Sequence, residues 1–247
     1  MGAKHSNRKK RNLLKLLIIL VFFIMMIVSI VNIIKWVKEN KQSKKITAKI
    51  LDNVQVVEEE GLVVDFKALK EENKDTVGWI KVEGLNIEYP VVQANDNSYY
   101  LSHSFDGSYN SAGWIFADAN NRFDGTDKHI VIYGHNRRDG SMFGTLKKIL
   151  EKNWYEDENN KYVTFVTEDG NTKYEVFSVY KIKDEDYYIT TKFNSGDEFG
   201  EFIKTLKERS IYDFGNEVAR KDKILTLSTC ADNNKYRVVL HAKKVTE

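Results

Sequence analysis

The chain has 247 residues, 30% of them charged, and a formal net charge of +2. That near-neutral total hides an asymmetry: residues 1–45 carry eleven Lys or Arg against one Glu, whereas the rest carries 27 basic and 35 acidic side chains. An acidic body lacks the basic footprint that phosphate contacts require, which argues against nucleic acid as a partner; a single cysteine excludes an internal disulfide framework.

In chain order, residues 16–34 form an apolar run without a charge, broken only by Ser29 and Asn32. About 20 apolar residues in a helix span the hydrocarbon core of a bilayer. Lys4, Arg8, Lys9, Lys10, Arg11 and Lys15 precede the run, which favours a cytoplasmic N-terminus. Lys35 and Lys38 follow it and weaken that bias, and Trp36 suits the interfacial belt. A cleaved signal peptide has an apolar core of roughly 7–15 residues and a small-x-small site. Here the run is longer and continues into Ile33-Ile34-Lys35-Trp36. The expectation is an uncleaved single-pass anchor at residues 16–34, with the remaining chain outside the cell.

Residues 38–61 are polar, with no clear apolar period before Ile46, and read as a stalk or short helix. Asp65 stands where an N-cap belongs for a helix over residues 66–73, with Phe66 and Leu69 facing inward. From Val77 the pattern changes to short strands. Trp79-Ile80-Lys81-Val82 and Ile87-Glu88-Tyr89 flank the turn Glu83-Gly84-Leu85-Asn86. Pro90, the single proline, suits a strand start or edge. Residues 97–101 read as a short helix or turn, and Trp114-Ile115-Phe116-Ala117 as the next strand. Residues 118–127 are rich in oxygen ligands, but Phe123 occupies the sixth position, where a calcium EF loop needs glycine. A solvated turn is expected there, and no metal or cofactor is called for anywhere in the chain.

His129-Ile130-Val131-Ile132-Tyr133 is a β-branched strand broken by Gly134-His135-Asn136. Ser141 is expected to open an amphipathic helix with Met142, Phe143, Leu146 and Ile149 on one face. Residues 162–167 and 174–182 read as a hairpin around Glu168-Asp169-Gly170-Asn171. Ser195-Gly196-Asp197-Glu198 has the form of a capping box, followed by Phe199, Phe202, Ile203 and Leu206 at helical spacing. Core packing accounts for that stripe. Residues 223–230 form a buried strand that ends on Cys230, and residues 236–245 form the last strand. Short strands with two or three intervening helices give a mainly β class and one barrel-like domain. The expected divisions are a basic head and anchor at 1–45, a stalk and helix at 46–76, and a β-barrel at 77–247.

An unpaired cysteine in an exported domain, at a strand end, invites a reactive rather than a packing role. A thiol attacks as thiolate, so a neighbour must take its proton or favour its charge. Among five histidines, His5 precedes the membrane run. His103 lies among serines, His129 heads a strand and His241 alternates within the last one. His135 shares with Cys230 a place at a strand end beside a break, which makes it the foremost partner on position alone. Arg237 opens the strand after Cys230; it suits a fixed oxyanion donor, and equally a surface arginine paired with Asp232.

The stretch Thr226-Leu227-Ser228-Thr229-Cys230, with Arg237-Val238-Val239 after it and Tyr133-Gly134-His135-Asn136 before it, resembles the sortase family. The resemblance runs from Val77 to the C-terminus. The N-terminal helix, the helix before the cysteine strand and Ser210-Ile211-Tyr212-Asp213 are similar to the class B subgroup. The resemblance implies an eight-stranded β-barrel transpeptidase on the outer face of a Gram-positive membrane. It implies Cys230 as nucleophile, His135 as the acid for the leaving amine and Arg237 as holder of the oxyanion. The substrate would be a C-terminal sorting signal similar to Asn-Pro-x-Thr-x, and a cell-wall precursor amine of the lipid II type would resolve the thioacyl enzyme. The class B groove maps onto Asn97, Leu101, Tyr188, Ile189 and Ser228, and Asp232 matches an acidic residue that orients the histidine or arginine. The turn at residues 231–236 is shorter than in some relatives. Competing readings are an L,D-type transpeptidase, which expects Ser-x-Gly-Cys, and a papain-like protease, which expects its cysteine at a helix start. A non-catalytic surface module with an inert thiol belongs to a different class altogether.

Overall fold

The computed structural model describes residues 2–52, 54–57, 61–183, 185–231 and 235–245. By contact the chain divides into two units, residues 1–44 and 45–247. The apolar run lies within helix α1 (Gly2–Leu51). Its stretch Arg11–Leu51 is long and apolar enough to cross a membrane, and side chains 11–38 are exposed.

In the second unit, β1 (Val54–Val57) and β2 (Gly61–Val64) pair as a two-stranded antiparallel sheet. The polar composition around residues 58–60 masks this hairpin in the sequence, yet Leu62 is buried in the main core. Helix α2 (Phe66–Glu72) follows, and the Asp65 carboxylate accepts from Ala68 N at 2.9 Å, the cap its position implied.

Eight strands then close a barrel. They are β3 (Thr76–Val82), β4 (Ile87–Val92), β5 (Phe116–Ala117), β6 (His129–Tyr133), β7 (Tyr162–Thr167), β8 (Gly170–Lys183), β9 (Ile224–Ala231) and β10 (Tyr236–Lys244). Their order around the barrel is β10-β8-β7-β3-β4-β5-β6-β9. The pairs β4–β5 and β6–β9 are parallel and the others antiparallel. Closure removes the open edges that a sheet of this size would otherwise expose.

Two local expectations need correction. The strand expected at residues 114–117 shrinks to β5, because Trp114 N donates to Tyr100 O at 2.9 Å and its indole Nε1 to Pro90 O at 3.0 Å. Pro90 itself sits within β4, on the stretch that β5 leaves unpaired, since β5 meets β4 only at Val92. The helix expected from Ser141 does not form. Met142 lies at φ +51°, its N–H held by the Tyr89 hydroxyl at 3.1 Å. At Gly144 a Cβ would stand 2.2 Å from Arg137 O, so the chain folds back on itself there. Met142, Phe143, Leu146 and Ile149 are all buried nonetheless, through a compact loop, a 3-10 helix (Leu146–Leu150) and α3 (Lys152–Glu156).

Two cores result. Leu225, Leu227, Val238 and Leu240 fill the barrel with Trp79, Trp114 and Phe165. The alternate positions Ile224 and Val239 belong to an outer layer with Phe177, Tyr180 and Tyr188. Helix α4 (Gly196–Glu208) covers that layer with Phe199, Ile203 and Leu206, each worth about 1.5–3 kcal/mol when fully buried. Ser195 Oγ accepts from Glu198 N at 3.1 Å, and the Glu198 carboxylate reaches back to Asn194 N at 2.6 Å.

His129 and His241 are completely buried beneath this layer. Burial pushes His129 down to about 4, against weaker opposing pulls from the Thr190 carbonyl, Asp118 and Asp127; burial likewise lowers His241. The unfolded chain therefore binds protons that the folded chain refuses between pH 6.5 and about 4, so stability is full above that window and falls as pH drops through it. His129 alone contributes on the order of 3 kcal/mol to that loss. Thermal unfolding followed by circular dichroism is expected to show a clear drop in Tm from pH 7 to pH 5. A folded His129→Asn variant should show a flatter dependence over the same range.

Candidate active site

Strand β9 runs between two neighbours that set the site. Its parallel pairing with β6 puts Tyr133 opposite Ser228, and Gly134 N donates to Ser228 O at 3.2 Å. Strand β6 ends at that pair, and beyond it the chain runs on to His135 toward the same end of the barrel as β9 does to Cys230. On the other side, the antiparallel register makes Arg237 the direct Cα partner of Cys230. Adjacent strands lie about 4.8 Å apart, so the backbones of Cys230 and Arg237 stand side by side at the end of the barrel toward which the chain leaves β6.

His135 is half-buried, and its orientation is fixed by a backbone group. Its Nε2 lies 2.8 Å from Leu101 O. A carbonyl only accepts, so Nε2 carries the proton and Nδ1 is left as the nitrogen able to exchange one. The ring packs against Gly113, where φ is +60° and a Cβ would meet Tyr100 O at 2.5 Å and His135 Cδ2 at 2.8 Å. His103, by contrast, stacks on Tyr99 with its Nδ1 2.7 Å from Tyr99 O, and His129 and His241 are sealed in the core. Arg237 is half-buried, with Nη1 donating to Tyr236 O at 3.2 Å. Asp232 lies outside the described residues.

Three of the expected groove positions, Asn97, Tyr188 and Ser228, are held by side-chain hydrogen bonds. Asn97 Nδ2 donates to Asp118 Oδ2 at 2.9 Å, and Asn97 Oδ1 accepts from Ala119 N at 2.8 Å. Tyr133 OH donates to the same Asp118 oxygen at 2.8 Å. Burial pushes the Asp118 carboxyl up, but donors from the Asn120 backbone and side chain, Tyr133 and Asn97 outweigh it and hold the group below its usual range. On the next strand Ser228 Oγ shares a 2.9 Å hydrogen bond with the buried Tyr188 hydroxyl. Ile189 follows in the 3-10 helix Tyr187–Ile189 and lines an open cavity of about 390 Å³ with Asn120, Tyr187 and Lys192. Lys192 Nζ reaches Asn120 Oδ1 at 3.3 Å across it.

Asp118 and Gly113 escaped the sequence reading. The Asp-x-Asn spacing of Asp118 and Asn120 marks an Asx turn, and nothing local distinguishes a turn that also anchors Asn97 and Tyr133. The tight seat of His135 on Gly113 is visible only in three dimensions.

Comparison with known proteins identifies relatives of the whole domain. The sortase domain family model matches residues 80–245. Sortase B of Listeria monocytogenes is 40% identical over 188 residues, spanning 74% of this chain and 75% of that protein. The X-ray structure of Clostridium perfringens sortase B superposes with a TM-score of 0.69 at 38% identity, covering 73% of this chain and 99% of that one. A Staphylococcus aureus sortase B–substrate complex superposes with a TM-score of 0.75 at 31% identity, covering 85% and 99%.

Gly113→Ala is expected to displace the His135 ring and to destabilise the fold by about 1–3 kcal/mol, because a non-glycine residue is strained at that φ. Urea unfolding together with the imidazole NMR shifts of His135 checks both effects; unchanged shifts would disprove the packing argument.

Proposed function

The chain belongs to the sortase family, as a cysteine transpeptidase of the sortase B type, and from that premise we propose a division of labour among three side chains. Cys230, as thiolate, attacks the carbonyl carbon of threonine in a C-terminal sorting signal similar to Asn-Pro-x-Thr-x. Arg237 donates to the oxyanion that forms. His135 gives a proton from Nδ1 to the departing amine as the C–N bond breaks, leaving a thioester on Cys230. The amine of a cell-wall precursor then attacks the thioester, His135 takes back a proton, and the sulfur leaves. A thioester suits this purpose because amines attack it readily relative to water.

The observation that supports the reading is the strand register, which makes Arg237 the Cα partner of Cys230 and ends β6 at Tyr133, opposite Ser228 and two residues before His135. The hydrogen bond of His135 Nε2 to Leu101 O supports the choice of Nδ1 as the transferring nitrogen. Asn97, Leu101, Tyr188, Ile189 and Ser228 are proposed to form the groove for the sorting signal. The carboxamide of Asn97 is engaged by Asp118 and Ala119, so in this arrangement it shapes the wall more than it offers free donors. Asp232 is assigned the task of orienting His135 or Arg237. The Staphylococcus aureus relative has been solved as a substrate complex, which supports a substrate groove on this fold.

The same reading places residues 16–34 in the membrane with the N-terminus in the cytoplasm and the catalytic barrel, residues 77–247, outside the cell. Residues 1–45 then form the basic head and anchor, and residues 46–76 the connecting segment. The partners are surface proteins bearing the sorting signal and a lipid II-type amine.

Cleavage of a fluorogenic Asn-Pro-x-Thr-x peptide library, with and without an added amine, tests the chemistry. Cys230→Ala is expected to fall to background, and His135→Ala and Arg237→Ala to lose roughly 10²–10³-fold in kcat/KM. Arg237→Lys should recover only part of the loss, since an ammonium lacks the planar fork. Turnover by Cys230→Ala equal to the parent would overturn the assignment. For the topology, a membrane-impermeant thiol reagent applied to intact cells should label the parent and leave Cys230→Ala unlabelled; labelling only after lysis would reverse the orientation.

A further inference from the structure

Behind the groove runs a buried chain of hydrogen bonds that the proposed chemistry does not use. His129 Nδ1 lies 2.7 Å from Thr190 O, and its Nε2 lies 2.6 Å from Thr226 Oγ1. Thr226 Oγ1 is 2.7 Å from His241 Nδ1, and His241 Nε2 is 2.9 Å from the Tyr180 hydroxyl. Tyr180 OH is 3.0 Å from Tyr187 OH. The chain crosses β6, β9, β10 and β8, and both histidines and Thr226 are fully buried.

Its direction follows from one end. Thr190 O only accepts, so His129 donates from Nδ1. In the neutral ring Nε2 then accepts, and the Thr226 hydroxyl is its donor. That hydroxyl, having donated, accepts from His241 Nδ1–H. His241 Nε2 accepts from Tyr180, and Tyr180 accepts from Tyr187. Every donor hydrogen in the chain has an acceptor and each imidazole uses both nitrogens, with both rings neutral.

The two ends belong to one short segment. Tyr187 and Thr190 bracket the single 3-10 turn that carries Tyr188 and Ile189, and Thr190 Oγ1 closes it by donating to Tyr187 O at 2.9 Å. Between the ends, Tyr188 is tied to Ser228. Thr226, Ser228 and Cys230 occupy alternate positions of β9. An apolar filling would occupy the same space without desolvating two imidazoles, but it would not fix the segment's distance from the strand with directional bonds.

We propose that His129, Thr226, His241 and Tyr180 are positioning residues that clamp residues 187–190 at both ends. The strand carrying Cys230 thereby also sets the wall against which the sorting signal is laid. This rests on the reading of Tyr188 and Ile189 as groove residues.

The test uses the full chain in detergent, with hydrogen exchange of residues 187–190 read by mass spectrometry beside steady-state kinetics on the Asn-Pro-x-Thr-x peptide. Thr226→Val, which keeps the shape and removes the hydroxyl, should speed exchange of this segment about 10-fold. It should raise KM about 10-fold with kcat changed less than about 3-fold. Thr226→Ser keeps the hydroxyl and should restore both. Tyr180→Phe opens the chain at its other end and should act like Thr226→Val, which keeps the test decisive if the valine variant does not fold. Nitrogen-15 NMR of the parent should find His129 and His241 neutral with the proton on Nδ1. Exchange and KM unchanged in folded Thr226→Val and Tyr180→Phe would overturn the clamp, as would loss confined to kcat. Ile189→Ala separates the two readings. If it raises KM while the chain variants do not, the clamp fails and the groove stands. If the chain variants speed exchange but neither they nor Ile189→Ala alter KM, the groove assignment fails, and with it the functional half of the proposal.

Discussion

The structure depends on one strand having two neighbours of opposite sense. Strand β9 is paired in parallel with β6 and antiparallel with β10. Parallel pairing keeps the exits of β6 and β9 at the same end of the barrel, so the loop that starts at Gly134 emerges beside Cys230. Antiparallel pairing makes the chain turn after Cys230 and return Arg237 directly opposite. A register slip of one residue would reverse the facing of every side chain on the strand. The alternation of Leu225 and Leu227 into the barrel against Ile224, Thr226 and Ser228 outside it resists that slip.

Around that register the fold uses backbone groups to hold side chains. The imidazole of His135 is oriented by a main-chain carbonyl rather than a carboxylate, and its seat against Gly113 leaves no room for a Cβ. The loop at Asp118 holds Asn97 from one direction and Tyr133 from another. Such contacts are individually modest, yet each buried polar atom left without its partner costs more than the bond contributed. The loops at His135 and Asp118 are therefore held in the arrangement that matches these particular donors and acceptors.

The outer layer is unusual in combining a conventional apolar cover, α4, with a polar chain beneath it. Phe199, Ile203 and Leu206 are buried in that cover, Phe202 of the same helix lies against His129, and both His129 and His241 are sealed from solvent. In that dry setting a hydrogen bond is directional and strong, and both imidazoles remain neutral. The proposed clamp thus relies on a helix that touches neither Cys230 nor Arg237 in sequence or register.

Local pattern sufficed for a good part of this protein. The apolar run, the Asp65 cap, the strands at His129 and Ile224 and the helix after Ser195 were legible because each depends on residues within one or two turns or on strict alternation. The family resemblance was legible because Thr226 to Cys230 and Arg237 are close in sequence. Other features depended on distant partners. The hairpin of β1 and β2, the shortening of β5 by Trp114 and Pro90, and the folded-back loop at Met142 and Gly144 are tertiary outcomes that override local preference. The four apolar residues after Ser141 are buried, but on a compact loop and a short 3-10 helix instead of one amphipathic helix, since burial rewards the side chains and leaves the backbone path open. By itself the sequence determined which residue types are available for acyl transfer and where most of the barrel strands lie. Only tertiary structure decided that Asn97, Asp118 and Tyr133 share one carboxylate and that two histidines 112 positions apart share one threonine, because hydrogen-bond partners are chosen by distance and direction in space, which closure of the barrel sets.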